Sequence, residues 1–212
     1  MQSSEQHSMP PSREITISLA WNPARLSDFG HILQQGFKLR ARLGTSIRQV
    51  LCDQFGVDHD YLDKRINTIF LDGKAVDDVD SSTIREGSVL ALSAAMPGFV
   101  GAAFRKGGYY SAMRGAISHV EEASSKAGSE AFFTVKLYNM VTKELGPAFL
   151  DSGIWLEWGD LRDFLKDRPA DFWEGCTKCE VEGWPVDPGY VLEKHETVNA
   201  SALVHLTVKP AD

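Results

Sequence analysis

Cys176 and Cys179, separated by Thr177 and Lys178, are the side chains best suited to chemistry in this chain. Two thiols at this spacing can supply half of a zinc site or cycle between dithiol and disulfide. A closed zinc site takes four ligands. No second Cys-x-x-Cys or His pair lies nearby, and His195 and His205 would complete an unusual set. Redox pairs normally sit at a helix N-terminus. This pair reads as a helix-to-strand join, with Cys179 entering the strand. Cys176 and Cys179 therefore stand as weak metal candidates, and no metal or cofactor is expected.

The other reactive residue types make no constellation. His7, His31, His59 and His119 show no ligand spacing, and Asp58-His59-Asp60 reads as a solvated loop. Asp77-Asp78-Val79-Asp80 lacks the spaced ligands and downstream Glu of a calcium loop. No Ser/His/Asp order or phosphate-binding glycine loop is present, so no enzymatic activity is expected. The aromatic residues carry more information. Trp155 should point away from Ile154 and Leu156, beside Glu157, while Trp173 and Trp184 fall in or near connections. Tryptophans with a wet edge are enriched at protein-binding hot spots.

The elements that must position these residues follow from hydrophobic period. Arg13–Trp21 alternates strictly, as a half-buried strand does, and Asn22-Pro23 breaks it. Phe37–Leu43 alternates again, with Lys38, Arg40 and Arg42 outward. Thr45 is placed to cap a helix carrying Ile47, Val50, Leu51 and Phe55, which Gly56 ends. Ile66–Leu71 is a strand followed by an Asp72-Gly73 turn, and Ser88–Ala94 is another. Further along, Phe133, Val135 and Leu137 share a strand face. Gly153–Trp158 is a strand, Asp160 is placed to cap a helix with Leu161, Phe164 and Leu165, Glu182-Gly183 makes a turn, and Ala202–Val208 alternates.

The order is thus given twice, and the residues repeat with it. Gly73-Lys74-Ala75-Val76-Asp77 aligns with Gly183-Trp184-Pro185-Val186-Asp187. Leu39, Arg48 and Leu51 answer Leu156, Arg162 and Leu165. Self-similarity of this kind points to two copies of one small unit. Residues 1–12 read as a flexible tail, 13–96 as the first copy, 97–128 as a connector and 129–212 as the second copy. The connector is not a free polar linker, because Tyr109, Met113, Ile117 and Val120 form an apolar stripe at helical steps.

Composition limits the function. With 43% hydrophobic and 24% charged residues, the 212-residue chain reads as a soluble globular protein. Its net charge of −7 and lack of a basic stripe argue against nucleic-acid binding. No apolar run approaches the roughly 20 residues that span a bilayer. The start, MQSSEQHSMP, lacks the basic and apolar regions of a secretory signal. A cytoplasmic protein is expected. Three cysteines, an odd number, argue against a disulfide framework.

A strand-strand-helix-strand-strand order, with Asp72-Gly73-Lys74 and Thr83-Ile84-Arg85-Glu86-Gly87 before the last strand, resembles the ubiquitin-like β-grasp superfamily. The small sulfur carriers of molybdopterin and thiamine synthesis are the most similar in pattern. Residues 130–209 resemble the same fold more weakly. The resemblance implies an α+β protein of two tandem β-grasp domains, each a mixed sheet crossed by one helix, joined by a partly helical connector. It also gives Arg105-Lys106-Gly107-Gly108 a meaning. Modifiers and sulfur carriers end in a flexible Gly-Gly tail that threads into an adenylating enzyme. Gly107 and Gly108 are then processing or activation residues, if the chain is cut after Gly108.

The expected function is that of a non-enzymatic ubiquitin-like protein, an adaptor or accessory subunit that binds other proteins. Phe104, Tyr109, Tyr110, Met113 and Trp155 are its candidate contact residues. The alternatives are a modifier or sulfur carrier activated at Gly108, and a small zinc or dithiol protein using Cys176 and Cys179. Neither nucleic acid nor membrane is an expected partner.

Overall fold

The computed structural model describes residues 14–94, 104–106, 108, 129–194 and 198–211. Alternation produces β1 (Ile15–Trp21), whose Ile15, Ile17, Leu19 and Trp21 are all buried. The Asn22 side chain accepts from the Ala24 N–H at 3.0 Å and starts a 3-10 turn, Pro23–Phe29. That turn runs into α1 (Gly30–Gln35), and β2 (Phe37–Arg42) follows.

The next helix is capped one residue later than expected. Ser46 Oγ accepts from the Gln49 N–H at 3.2 Å, and Gln49 Oε1 accepts from the Ser46 N–H at 3.1 Å. This reciprocal pair is a capping box, and it satisfies two donors where Thr45 would satisfy one. The helix contains a π-turn at Gln49–Gln54 and stops at Gly56. Asp58 is not simply a solvated loop residue. It accepts from the Tyr61 N–H at 2.8 Å and caps α2 (His59–Lys64). Strands β3 (Thr68–Leu71) and β4 (Lys74–Ala75) are joined by Asp72-Gly73, both at positive φ, the conformation a two-residue type I′ turn requires. β5 (Val89–Ser93) follows.

After the connector come β6 (Glu130–Tyr138), α3 (Met140–Ser152), β7 (Ile154–Glu157) and α4 (Trp158–Lys166). A 3-10 turn, Ala170–Gly175, leads into β8 (Cys176–Val181), β9 (Trp184–Pro185), α5 (Tyr190–Lys194) and β10 (Leu203–Pro210). Periodicity gave no sign of α3, because Gly146 and Pro147 interrupt its pattern. Burial of Val141, Phe149 and Leu150 holds it nonetheless. Asp160 does not cap α4. The helix begins at Trp158, and Asp160 lies in its first turn, where a carboxylate suits the helix dipole.

All ten strands form one mixed sheet, in the order β4-β3-β5-β6-β2-β7-β10-β1-β8-β9. The chain is therefore α+β, but its two similar stretches do not each close a sheet of their own. β1, from the first stretch, lies between β10 and β8 of the second. β6, from the second, lies between β5 and β2 of the first. The two parallel pairs, β5-β6 and β1-β10, each join one strand from either stretch. Read inward from either edge, the pairings run antiparallel, antiparallel, parallel, antiparallel, and the two series meet where Lys38 of β2 pairs with Trp155 of β7. Alternation specifies which residues of a strand face inward, and many pairings satisfy it. The division at 97–128 therefore describes the sequence and not the sheet.

One core runs under both halves, from Ile17 and Val204 to Ile69 and Leu92. Trp21, Phe29 and Phe172 meet there, with Trp21 at 4.9 Å from Phe29 and 4.7 Å from Phe172. The two halves are also joined through their helices. Glu144 of α3 accepts from Tyr61 of α2 at 2.7 Å and from Arg65 Nε at 3.0 Å.

Candidate functional site

Strand alternation places the other half of the side chains on the face opposite this core. Most described helices bury apolar residues in the core, while Phe104, at the end of a helical turn, meets Phe70 at 5.3 Å. The centre of the opposite face is a row of side chains in register across five strands: Thr134, Lys38, Trp155, His205 and Thr16. β6, β2, β7, β10 and β1 each contribute one.

Aromatic rings occupy the middle of the row. Trp155 lies 4.6 Å from His205, with the two planes inclined by 33°, and Phe132 meets Trp155 edge-on at 5.5 Å. Burial pushes the His205 imidazole below its ordinary pKa, with Glu14 opposing weakly. The ring is thus neutral at pH 7 and stacks as an uncharged partner. Gly153 makes room for it, since a Cβ there would collide with Nε2 of His205.

Charged groups surround the rings. Lys38 Nζ lies 2.8 Å from Glu157, and Arg40 Nε lies 3.3 Å from Glu130. Arg42, Lys136 and Lys209 share the face, and so does Glu180, which lies 2.7 Å from Lys178 Nζ. Next to His205 the sheet is concave. A trough of about 760 Å³ is lined by Thr16, Ser18, Lys178, Glu180, His205 and Lys209, among others. Thr207 donates to Ser18 at its floor, at 2.9 Å. The lining combines small hydroxyls and His205 with charges of both signs, Lys178 Nζ lying 2.7 Å from Glu180. It can hold a complementary surface.

Of the contact residues expected from sequence, the structure places Trp155 at the centre of this face. Phe104 lies on the same side near the far edge, 5.3 Å from Phe70. Tyr109, Tyr110, Met113 and Gly107 lie outside the described residues. Gly108 donates to the Arg105 carbonyl at 3.0 Å. Two residues before it, the Lys106 N–H donates to the Asn67 carbonyl at 2.7 Å and its Nζ donates to the Leu62 carbonyl at 2.8 Å. The element preceding Gly107-Gly108 is therefore fastened to the body of the protein.

Cys176 and Cys179 belong to the other face. The strand begins at Cys176, so the pair lies within β8 and not in the connection before it. Cys179 is buried and Cys176 partly so. No cluster of three or more metal-ligating side chains exists among the described residues.

Sequence reasoning missed Phe132 and the pairing of Trp155 with His205. The first was detectable, because adjacent Phe132 and Phe133 in one strand must point to opposite faces. The second was not, since it depends on β10 lying beside β7. No helix among the described residues is long and apolar enough to cross a membrane. Comparison with protein-family profiles, curated proteins and solved structures gives no match.

Proposed function

We propose that this protein is a non-enzymatic, ubiquitin-like adaptor or accessory subunit that binds another protein through the face of its sheet that carries Trp155. The observation that carries this reading is the Phe132–Trp155–His205 cluster at the centre of that face. A desolvated aromatic centre within a polar rim is the anatomy of a binding hot spot.

The fold reading is that of two β-grasp units with exchanged strands. Each half of the sheet then holds five strands with one internal parallel pair, and each half borrows a strand from the other copy. The repeated type I′ turns at Asp72-Gly73 and Glu182-Gly183 support it.

The test is purification of the full chain from its native cells, beside a Trp155→Ala variant whose fold is checked by circular dichroism. A stoichiometric partner, retained by the uncut wild-type chain and weakened at least about tenfold by the substitution, is expected of a hot-spot tryptophan. A chain ending at Gly108, or bonded to other proteins through it, would overturn the reading in favour of a modifier.

A further inference from the structure

The two cysteines that sequence spacing left unassigned are brought together by a β-bulge. In a regular strand, residues i and i+3 point to opposite faces and lie about 10 Å apart. β8 is not regular here. Leu19 of β1 faces Cys179 and Ala20 faces Lys178, but Trp21 faces Cys176. Thr177 is thus the extra residue of the bulge, and its hydroxyl donates to the Ala20 carbonyl at 3.2 Å. A bulge re-aims the side chain beside it. Cys176 is turned to the same face as Cys179, since both now oppose buried residues of β1.

The bulge also shortens the separation. The two cysteines span the distance that Leu19 and Trp21 span, two residues of strand or about 6.6 Å. That lies within the range of Cα separations, roughly 4.4–6.8 Å, that a disulfide bridges. Cys176 Sγ donates to the Lys178 carbonyl at 3.3 Å.

We infer that Cys176 and Cys179 are a redox-active dithiol that exchanges with low-molecular-weight disulfides of the glutathione class, Cys176 attacking and Cys179 resolving. Division of labour follows from position. Cys176 is partly exposed, whereas Cys179 is buried on the core side of the sheet beside Leu19. The neighbouring Cys179 thiol favours the Cys176 thiolate and holds its pKa below the ordinary thiol value, while the same neighbour and burial push Cys179 up. The thiolate is the attacking species.

The steps balance. The Cys176 thiolate attacks one sulfur of oxidised glutathione and forms a mixed disulfide, releasing one glutathione thiolate. Cys179 then gives its proton to solvent and attacks Cys176 Sγ, releasing the second. The protein dithiol loses two electrons and one glutathione disulfide gains them. The reverse exchange with reduced glutathione restores the thiols.

The experiment uses the full reduced chain with oxidised glutathione at neutral pH, followed by acid quench, alkylation of remaining thiols and peptide mass mapping. The expected product is a Cys176–Cys179 disulfide with Cys52 alkylated only after unfolding. Cys179→Ser should accumulate the glutathione adduct on Cys176, and Cys176→Ser should react at least about tenfold more slowly than wild type. Wild-type mapping decides the matter even if a variant fails to fold. A persistent adduct on wild-type Cys176, bridging through Cys52, or no reaction would each overturn the inference.

Discussion

Trp155 lies against His205, their ring centroids 4.6 Å apart, on neighbouring strands that stand far apart in sequence. The contact makes the indole a reporter of the imidazole. Burial holds the His205 pKa below 6.5, the value for a free side chain. Tryptophan emission should therefore change as pH falls, with a midpoint under 6.5, and the step should vanish in His205→Gln. The stability sign follows. Between the folded and unfolded pKa values the unfolded chain binds more protons, so this group's contribution is complete above 6.5 and declines below it. A step at or above 6.5, or one that survives His205→Gln, would count against this geometry.

Gly153 should tolerate no side chain. Its φ is 96°, and a Cβ would run into His205. Gly153→Ala is expected to cost about 2–4 kcal/mol in chemical denaturation, combining backbone strain with the collision. In a His205→Ala background the collision with the ring disappears, leaving a 3.2 Å approach to Thr207 Cγ2, and a cost of about 1–2 kcal/mol for the backbone should remain. Equal costs in both backgrounds would mean that the two residues do not meet.

Glu144 gives the protein an acid-sensitive joint. Hydrogen bonds from Arg65 and Tyr61 lower its pKa from 4.5 to about 2. A depressed folded pKa stabilises above the unfolded value and is lost as pH falls through the folded one. Stability should thus decline between pH 4.5 and about 2, and Glu144→Gln should flatten that part of the profile. Thermal melts at stepped pH measure it. An unchanged slope in the variant would exclude this joint as the cause.

Strand exchange makes a cut at the connector destructive. A fragment of residues 1–128 would leave β1 without β10 and β8, and would remove β6 from between β5 and β2. It should show no cooperative melting and no dispersed amide spectrum. A fragment that folds alone would mean that the first stretch can close a sheet without the second.

Local residues determined much of this molecule. The Ile15–Trp21 alternation, the Asp72-Gly73 and Glu182-Gly183 turns and the stop at Gly56 are set by steric and pattern rules acting within a few residues. Trp155 was legible as a side chain on the outer face because Ile154 and Leu156 flank it. The capping of the π-turned helix was blurred by one position, since Thr45 and Ser46 are both competent caps and only the reach of Gln49 chooses between them.

The tertiary structure decided which strands are neighbours. Pairing is made by backbone groups that every residue carries, so the sequence of β1 holds no mark that it belongs beside β10 and not beside β2. From that choice come the stack of Trp155 on His205, the face shared by strands of both stretches, and the alignment of β8 on β1. The last is the plainest case. The sequence by itself spaced Cys176 and Cys179 three residues apart, and the shift in register opposite Ala20 and Trp21 put them on one face. A bulge is a property of two strands together, and neither strand states it alone.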